Sequence, residues 1–123
     1  MWREIKVLLV DDDEQRKHDM HVLLDFLGEG SYTCSSSNYK EVAAELDDPM
    51  EIVAFILGSS KKHSLLEMLN SVSDWDKGMP IIYVGDEPLP DDLSEDVSRA
   101  IINHVTMPPS YNKLLDSLHR AQI

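Results

Sequence analysis

Residues 81–84 (IIYV), after Pro80, read as a strand, but two longer runs dominate this chain: residues 5–10 (IKVLLV) and 52–57 (IVAFIL). Apart from Lys6, they are apolar at odd and even positions alike. A strand with one wet face alternates apolar and polar, whereas a strand apolar on both faces must be covered on both sides. That is the mark of a central strand in a parallel sheet. Each of these two runs leads through a polar turn into apolar residues at helical spacing. Asp11-Asp12-Asp13 precedes Met20, Leu23, Leu24 and Leu27, with Gly28 as a C-terminal stop. Gly58-Ser59-Ser60 precedes Leu65, Leu66, Met68, Leu69 and Val72.

Weaker signals fill in the same alternation. Residues 32–35 form a serine-weakened strand. A short helix follows, with Asn38 as cap, Val42, Ala43 and Leu46 buried, and Pro49 beyond its end. Residues 85–92 read as a loop, 92–99 as a short weak helix, and 103–105 as a strand with a possible start at Ile101. Met107-Pro108-Pro109 is a turn, and residues 111–121 form a last helix with Leu114, Leu115 and Leu118 inward. The sum is an α/β chain of five strand–helix units. It predicts a flavodoxin-like, doubly wound, five-stranded parallel sheet with right-handed crossovers. In such a sheet, chemistry belongs at the carboxyl ends of the strands, here just after Val10, Leu57, Val84 and Val105.

Length and charge narrow the function classes. The 123 residues suit one domain, 1–123. The net charge of −12 argues against direct nucleic-acid binding, which rests on Lys and Arg meeting phosphate, and against an anionic membrane surface. The single cysteine, Cys34, allows no internal disulfide and no metal knuckle. The start has no cleavable signal character, and no apolar run approaches the ~20 residues that cross a bilayer. A cytoplasmic protein is expected.

Among candidate sites, the adjacent Asp11 and Asp12 stand first. Two carboxylates on a turn after a buried strand can hold a hard cation such as Mg²⁺. Equally, they can cap and orient the helix that follows, where acids are favoured by the dipole. His18 and His21 share a helix face, but no third ligand accompanies them. Cys34 reads as a small buried hydrophobe. Asp86, Glu87, Asp91, Asp92, Glu95 and Asp96 read as a solvated surface able to meet a basic partner. No phosphate-cradling glycine loop, GxSxG or HExxH occurs, so no enzymatic activity is expected.

A five-unit chain with an acidic pair after its first strand resembles a response-regulator receiver domain. Tyr32-Thr33-Cys34 with Glu41-Val42-Ala43-Ala44-Glu45-Leu46 resembles the second strand and helix of receivers in nitrogen-regulator-type activators. The closing run from Thr106 to Ala121 (TMPPSYNKLLDSLHRA), together with the opening MWRE, VLLVDD and FLGE, resembles the receiver-like domain of FleQ/FlrA-type flagellar master regulators. The likeness spans all 123 residues and is weaker in the middle.

The resemblance also exposes departures. A working receiver has a phospho-acceptor Asp after its third strand, which shares one Mg²⁺ with the acidic pair. It has a Thr or Ser after the fourth strand and a Lys before a Pro after the fifth. Here those positions fall on Leu57 or Gly58, on Gly85, and on Met107 before Pro108. A serine such as Ser59 or Ser60 does not replace the acceptor, because an acyl phosphate needs a carboxylate. In receivers the bond before that proline is usually cis, which is expected at Pro108, with Met107 filling the space of the lysine.

The resemblance therefore implies a degenerate receiver. It would be the regulatory and dimerisation module of a sigma-54-dependent enhancer-binding activator of flagellar and biofilm genes. The AAA+ ATPase and helix-turn-helix domains of such a parent are absent from this chain. ATP and cyclic di-GMP belong to the absent AAA+ domain, so no cofactor is assigned beyond weak Mg²⁺ on Asp11 and Asp12. The expected partners are a second copy and the parent's own AAA+ domain, with no direct nucleic acid and no membrane. Receivers commonly pair through the fourth helix, fifth strand and fifth helix, which points to Leu93, Val97, Ile101, Tyr111, Leu115 and His119. The alternative is a phosphorylatable or Mg²⁺-responsive switch using Asp11 and Asp12.

Overall fold

The computed structural model describes residues 6–26, 30–35, 39–45, 52–75, 78–107 and 110–121. The elements are β1 (Lys6–Val10), α1 (Glu14–Phe26), β2 (Gly30–Cys34), α2 (Tyr39–Glu45), β3 (Ile52–Leu57), α3 (Leu65–Trp75), β4 (Ile81–Val84), α4 (Glu95–Ala100), β5 (Ile101–Val105) and α5 (Tyr111–Ala121). All strands pair in parallel in the order β2-β1-β3-β4-β5. The expected doubly wound sheet is present.

Alternation along the central strands sorts the core into two layers. Val7, Leu9, Ala54, Ile56, Ile82, Val84 and Val105 meet Met20 and Leu24 of α1 and Leu114 and Leu118 of α5. On the other face Leu8, Val10, Phe55, Leu57, Ile81 and Tyr83 meet α2, α3 and α4 through Tyr39, Leu65, Met68, Leu69, Val72, Val97 and Ala100. Most of these side chains are fully buried, and each large one stabilises the fold by roughly 1.5–3 kcal/mol relative to exposure. The Tyr39 ring meets Phe55 edge-on, and its hydroxyl lies 2.5 Å from Ser71 Oγ, joining α2 to α3.

The helix starts follow from short polar side chains. The Asp13 carboxylate accepts the Gln15 and Arg16 amides at the head of α1. Ser64, Ser94 and Ser110 accept the Glu67, Val97 and Lys113 amides at the heads of α3, α4 and α5. Each satisfies a backbone donor that the helix itself leaves free.

Several boundaries differ from expectation. β2 starts at Gly30, because ladder pairing with Lys6 extends it past the residues with strand propensity. The cap at Ser94 delays α4 to Glu95, and pairing of Ile101 with Ile81 ends it at Ala100. That pairing also starts β5 at Ile101. Leu23, Leu66 and Leu115 are only half-buried, so the buried stripes of their helices are narrower than the spacing suggested. Asn38, Leu46 and Pro49 lie outside the described residues, as do Leu27 and Gly28. Among the described residues no helix is long and apolar enough to cross a membrane.

Candidate functional site: the pocket at the strand ends

The strand ends converge on Asp11, whose side chain is 1% exposed. Burying a carboxylate requires both hydrogen bonds and countercharge. Oδ1 accepts the Ser59 hydroxyl at 2.6 Å and the Asp13 amide at 2.9 Å. Oδ2 faces Arg16 Nε at 3.4 Å. Arg16 reaches in from the first turn of α1, and its Nη2 donates to the Val84 carbonyl at 2.7 Å. One guanidinium thus bridges the ends of β1 and β4. Asp12, half-buried beside it, accepts the Lys61 amide at 2.8 Å and gives its own amide to Ser59 O at 2.9 Å.

The acidic pair therefore does not cap α1, as the sequence allowed. Asp13 does that, one residue nearer the helix. Asp11 instead ties β1 to the β3–α3 turn and to α1, while Asp12 holds the same turn from the outside.

The acceptor position is closed at both of its candidate residues. Leu57 is 2% exposed and part of the layer beneath α3 and α4. Gly58 is pressed against the acidic pair: a Cβ built on it would lie 2.0 Å from Asp11 Oδ2 and 2.6 Å from Cγ. No side chain of any kind fits there while Asp11 holds its place. Gly58 N donates to Val10 O at 2.8 Å, so the backbone is fixed as well.

Gly85 is closed in the same way by a different neighbour. A Cβ there would meet the Tyr83 hydroxyl oxygen at 2.6 Å. Tyr83 is 4% exposed, and burial pushes its phenol pKa up, with the nearby Glu87 charge adding to the rise. The His104 ring lies against Tyr83 with centroids 4.7 Å apart, and its Nε2 is 2.8 Å from the Gly85 carbonyl. Met107 is half-buried against the α1 and α5 layer. Its amide donates to Asp86 Oδ1 at 3.0 Å, which fastens the loop after β5 to the loop after β4. Pro108, and with it the isomer of the preceding bond, lies outside the described residues.

Between the β3–α3 and β4–α4 loops remains a cavity of about 370 Å³, lined by Arg16, Ser59, Ser60, His63, Tyr83, Asp86 and Glu87 among others. Asp86 and Glu87 thus belong to the cavity rim as well as to the exposed acidic stretch.

The receiver resemblance implies a Mg²⁺ ion on the acidic pair, and the residues do not fit it. Asp11 Oδ1 already accepts two donors, Oδ2 faces a guanidinium, and position 57 or 58 supplies no third carboxylate. Among the described residues no group of three or more His, Cys, Asp and Glu is placed to hold a metal. His18 is exposed, and His21 lies 3.5 Å from Asp25 on its own helix. Cys34 is buried, and burial raises its thiol to about 12.

The proposed pairing face is mixed. His119 is exposed and Leu93, Ile101 and Leu115 are half-buried. Val97 is 3% exposed and lies on the inner side of α4, in the core layer, so it does not belong to a surface. The Tyr111 side chain lies outside the described residues.

Sequence reasoning reached Asp11, Asp12, Gly58 and Gly85 but missed Arg16, Asp13 and Tyr83 as parts of the site. Asp13 had a local signal, an Asp directly before the helix. Arg16 had none for its bond to Val84, 68 residues on, and Tyr83 sits inside the apolar run 81–84, where nothing marks its hydroxyl as turned toward Gly85.

Comparison with known proteins fits this geometry. The fold is similar to a response regulator receiver domain protein from Clostridium thermocellum, with 20% identity over 94% of this chain and 92% of that one and a TM-score of 0.77. It is similar to a response regulator receiver protein from Pseudomonas putida, with 18% identity, 98% and 99% coverage and a TM-score of 0.76. The chemotaxis response regulator CheY4 of Vibrio cholerae gives 20% identity, 94% and 97% coverage and a TM-score of 0.71. At these identities the likeness establishes the receiver fold. Residues 6–123 match the family described as flagellar regulatory protein FleQ. The chain therefore belongs to the FleQ family of flagellar regulatory proteins, as its receiver-like domain.

Proposed function

We propose that this domain regulates without phosphoryl transfer. It acts as a self-association module of a sigma-54-dependent activator of flagellar and biofilm genes in the bacterial cytoplasm. The observation that carries this reading is the Asp11 network: Ser59 donates to, and Arg16 neutralises, the carboxylate that a phosphorylation site would need for its metal. With Leu57 buried beneath α3, Gly58 crowded by Asp11 and Gly85 crowded by Tyr83, the expected acceptor and hydroxyl positions carry neither a carboxylate nor a hydroxyl. What such a domain has left to signal with is its surface and its partners. Those would be a second copy and the parent protein's ATPase domain, which would carry the ATP and cyclic di-GMP chemistry.

Incubation with acetyl phosphate or beryllofluoride and Mg²⁺ tests this directly. Intact mass and amide chemical shifts should stay unchanged. A stoichiometric mass increase of one phosphoryl group on an Asp overturns the reading. Self-association is tested separately by sedimentation equilibrium, where a chain that stays monomeric at high concentration removes the pairing role of the isolated domain. Substitution of His119 and Leu115 should then weaken a dimer formed through α4, β5 and α5 without unfolding the protein.

A further inference from the structure

The cavity between the β3–α3 and β4–α4 loops has its charges sorted by side. Arg16 and the β3–α3 side bring donors and positive charge, whereas the β4–α4 side brings Asp86 and Glu87. A guanidinium carries five N–H donors and no acceptor. Among the described residues Arg16 makes one hydrogen bond, from Nη2 to the Val84 carbonyl at 2.7 Å, while its Nε stands 3.4 Å from Asp11 Oδ2. It therefore lines the cavity with donors to spare.

The head of α3 belongs to the same side. Ser64 and Leu65 line the cavity, and the partial positive charge of a helix start favours an anion. Ser60 and His63 complete that side, with the Ser60 hydroxyl accepting the His63 amide at 3.1 Å. On the β4–α4 side Asp86 gives one carboxylate oxygen, Oδ1, to the Met107 amide, and Glu87 is exposed. Leu57, Leu65, Met68 and Tyr83 supply apolar lining. All four are nearly fully buried, so this part forms the floor.

A simple anion in this space would face Asp86 and Glu87, and a simple cation would face Arg16. A molecule with one charge of each sign, joined by an aliphatic stem, suits both sides and the floor between them. We propose that the cavity binds a small aliphatic amino-carboxylate, its carboxylate on the side of Arg16 and the α3 head and its ammonium on Asp86 and Glu87. At about 370 Å³ the cavity falls within the range of small-molecule sites. The bound zwitterion ties the β3–α3 loop to the β4–α4 loop, which gives a regulatory domain a chemical input without phosphoryl transfer. This inference rests on the functional reading above, but the two fail separately. Phosphorylation of an Asp by acetyl phosphate overturns that reading, whereas titration with amino-carboxylates decides the ligand.

The experiment follows backbone amide shifts of the unaltered chain at neutral pH and fixed ionic strength. Glycine, 4-aminobutanoate, 5-aminopentanoate and 6-aminohexanoate are titrated in turn to millimolar concentration. Acetate and methylammonium, added together, serve as the same charges without the stem. One of the longer members should give saturable shifts centred on Ser59, Ser60, His63, Gly85 and Glu87. It should bind about tenfold tighter than glycine, because only a stem of matching length lets both ends reach their sides. The separated charges should give no saturable shift. Glu87→Gln, an exposed substitution, should weaken binding about tenfold. Arg16→Gln should weaken it at the carboxylate end.

Lack of a saturable shift with every member of the series overturns the inference. So does an equal response to acetate with methylammonium, which would mean that the charges act independently. Shifts centred on exposed acids elsewhere, such as Asp19 and Asp25 of α1, overturn it as well. Equal binding by Glu87→Gln and the unaltered chain removes the ammonium end and with it the proposal. If Arg16→Gln does not fold, Glu87→Gln alone decides.

Discussion

Asp11 Oδ2 occupies the space into which a side chain at Gly58 would project, 2.0 Å from the position of a Cβ. The two residues directly follow the neighbouring parallel strands β1 and β3, and one backbone hydrogen bond, Gly58 N to Val10 O, fixes their approach. Gly58→Ala should therefore destabilise the domain by roughly 1–3 kcal/mol, the usual cost of overpacking a fixed core. The carboxylate cannot step aside cheaply, because Ser59, Asp13 and Arg16 all act on it. In urea denaturation the Gly58→Ala/Asp11→Ala double variant should cost less than the sum of the singles, because the clash partner is gone. Strict additivity would show that the two side chains do not compete for one space.

The two acids of the pair should behave very differently. Asp11→Asn removes the countercharge of a partly buried guanidinium, and a cost of about 1–3 kcal/mol follows once the quarter exposure of Arg16 is allowed for. Asp12→Ala removes the half-exposed acceptor of the Lys61 amide, worth about 0.5–1.5 kcal/mol. Chemical denaturation of both variants checks the order. Equal losses would mean that the pair still acts as one unit, as it would around a shared ion.

Restoring a hydroxyl at the end of β4 should not restore a receiver. Gly85→Thr brings a Cβ to within 2.6 Å of the Tyr83 oxygen, and a cost of roughly 1–3 kcal/mol is expected from the forced shift of that buried ring. Adding Tyr83→Ala should remove the clash and open a cavity in its place. The double variant should thus be soluble and folded, with the fluorescence or ring resonances of His104's neighbourhood changed. Even so, it should take up no phosphoryl group from acetyl phosphate, because Leu57, Gly58 and Met107 remain as they are. Phosphorylation of that double variant would show that the hydroxyl alone had been limiting.

The sheet could be read from the sequence because its central strands are apolar on both faces, a pattern that only a two-sided cover satisfies. β3 and β4 were legible to the residue (Ile52–Leu57 and Ile81–Val84). The weak elements were harder. β2 owes its first residues to pairing with β1, and α4 owes its brevity to a serine cap and a strand that begins at once. The residues at the expected acceptor, hydroxyl and lysine positions (Leu57 or Gly58, Gly85 and Met107) were also visible, since a strand end can be counted along the chain. What surrounds them was not. Arg16 and Val84 are 68 residues apart, and Ser59 and Asp11 are 48 apart. No local spacing announces that an arginine on α1 lies across the ends of two strands. The substitution of Asp13 for Asp11 as helix cap was missed for a smaller reason. Three consecutive acids offer three candidate caps, and only the path of the turn selects among them.

Cys34 provides a test of the buried layer that is independent of the pocket. Its Sγ lies 3.5 Å from the Leu9 carbonyl inside the sheet. Burial raises the thiol pKa from 9.0 to about 12, with nearby Lys17 opposing the rise and Asp12 adding to it. The thiolate is the reactive form, so native protein at pH 8 should react with iodoacetamide far more slowly than the urea-unfolded chain. The same shift fixes a sign for alkaline stability. The folded state holds the thiol proton more tightly than the unfolded state, so this contribution is fully present below pH 9.0 and is lost as pH rises toward 12. Cys34→Ala should flatten that part of the alkaline unfolding curve, at a small constant cost from the lost sulfur volume. An unchanged alkaline slope in Cys34→Ala, or rapid alkylation of the native protein, would mean that the thiol reaches water and that the layer above β2 is open.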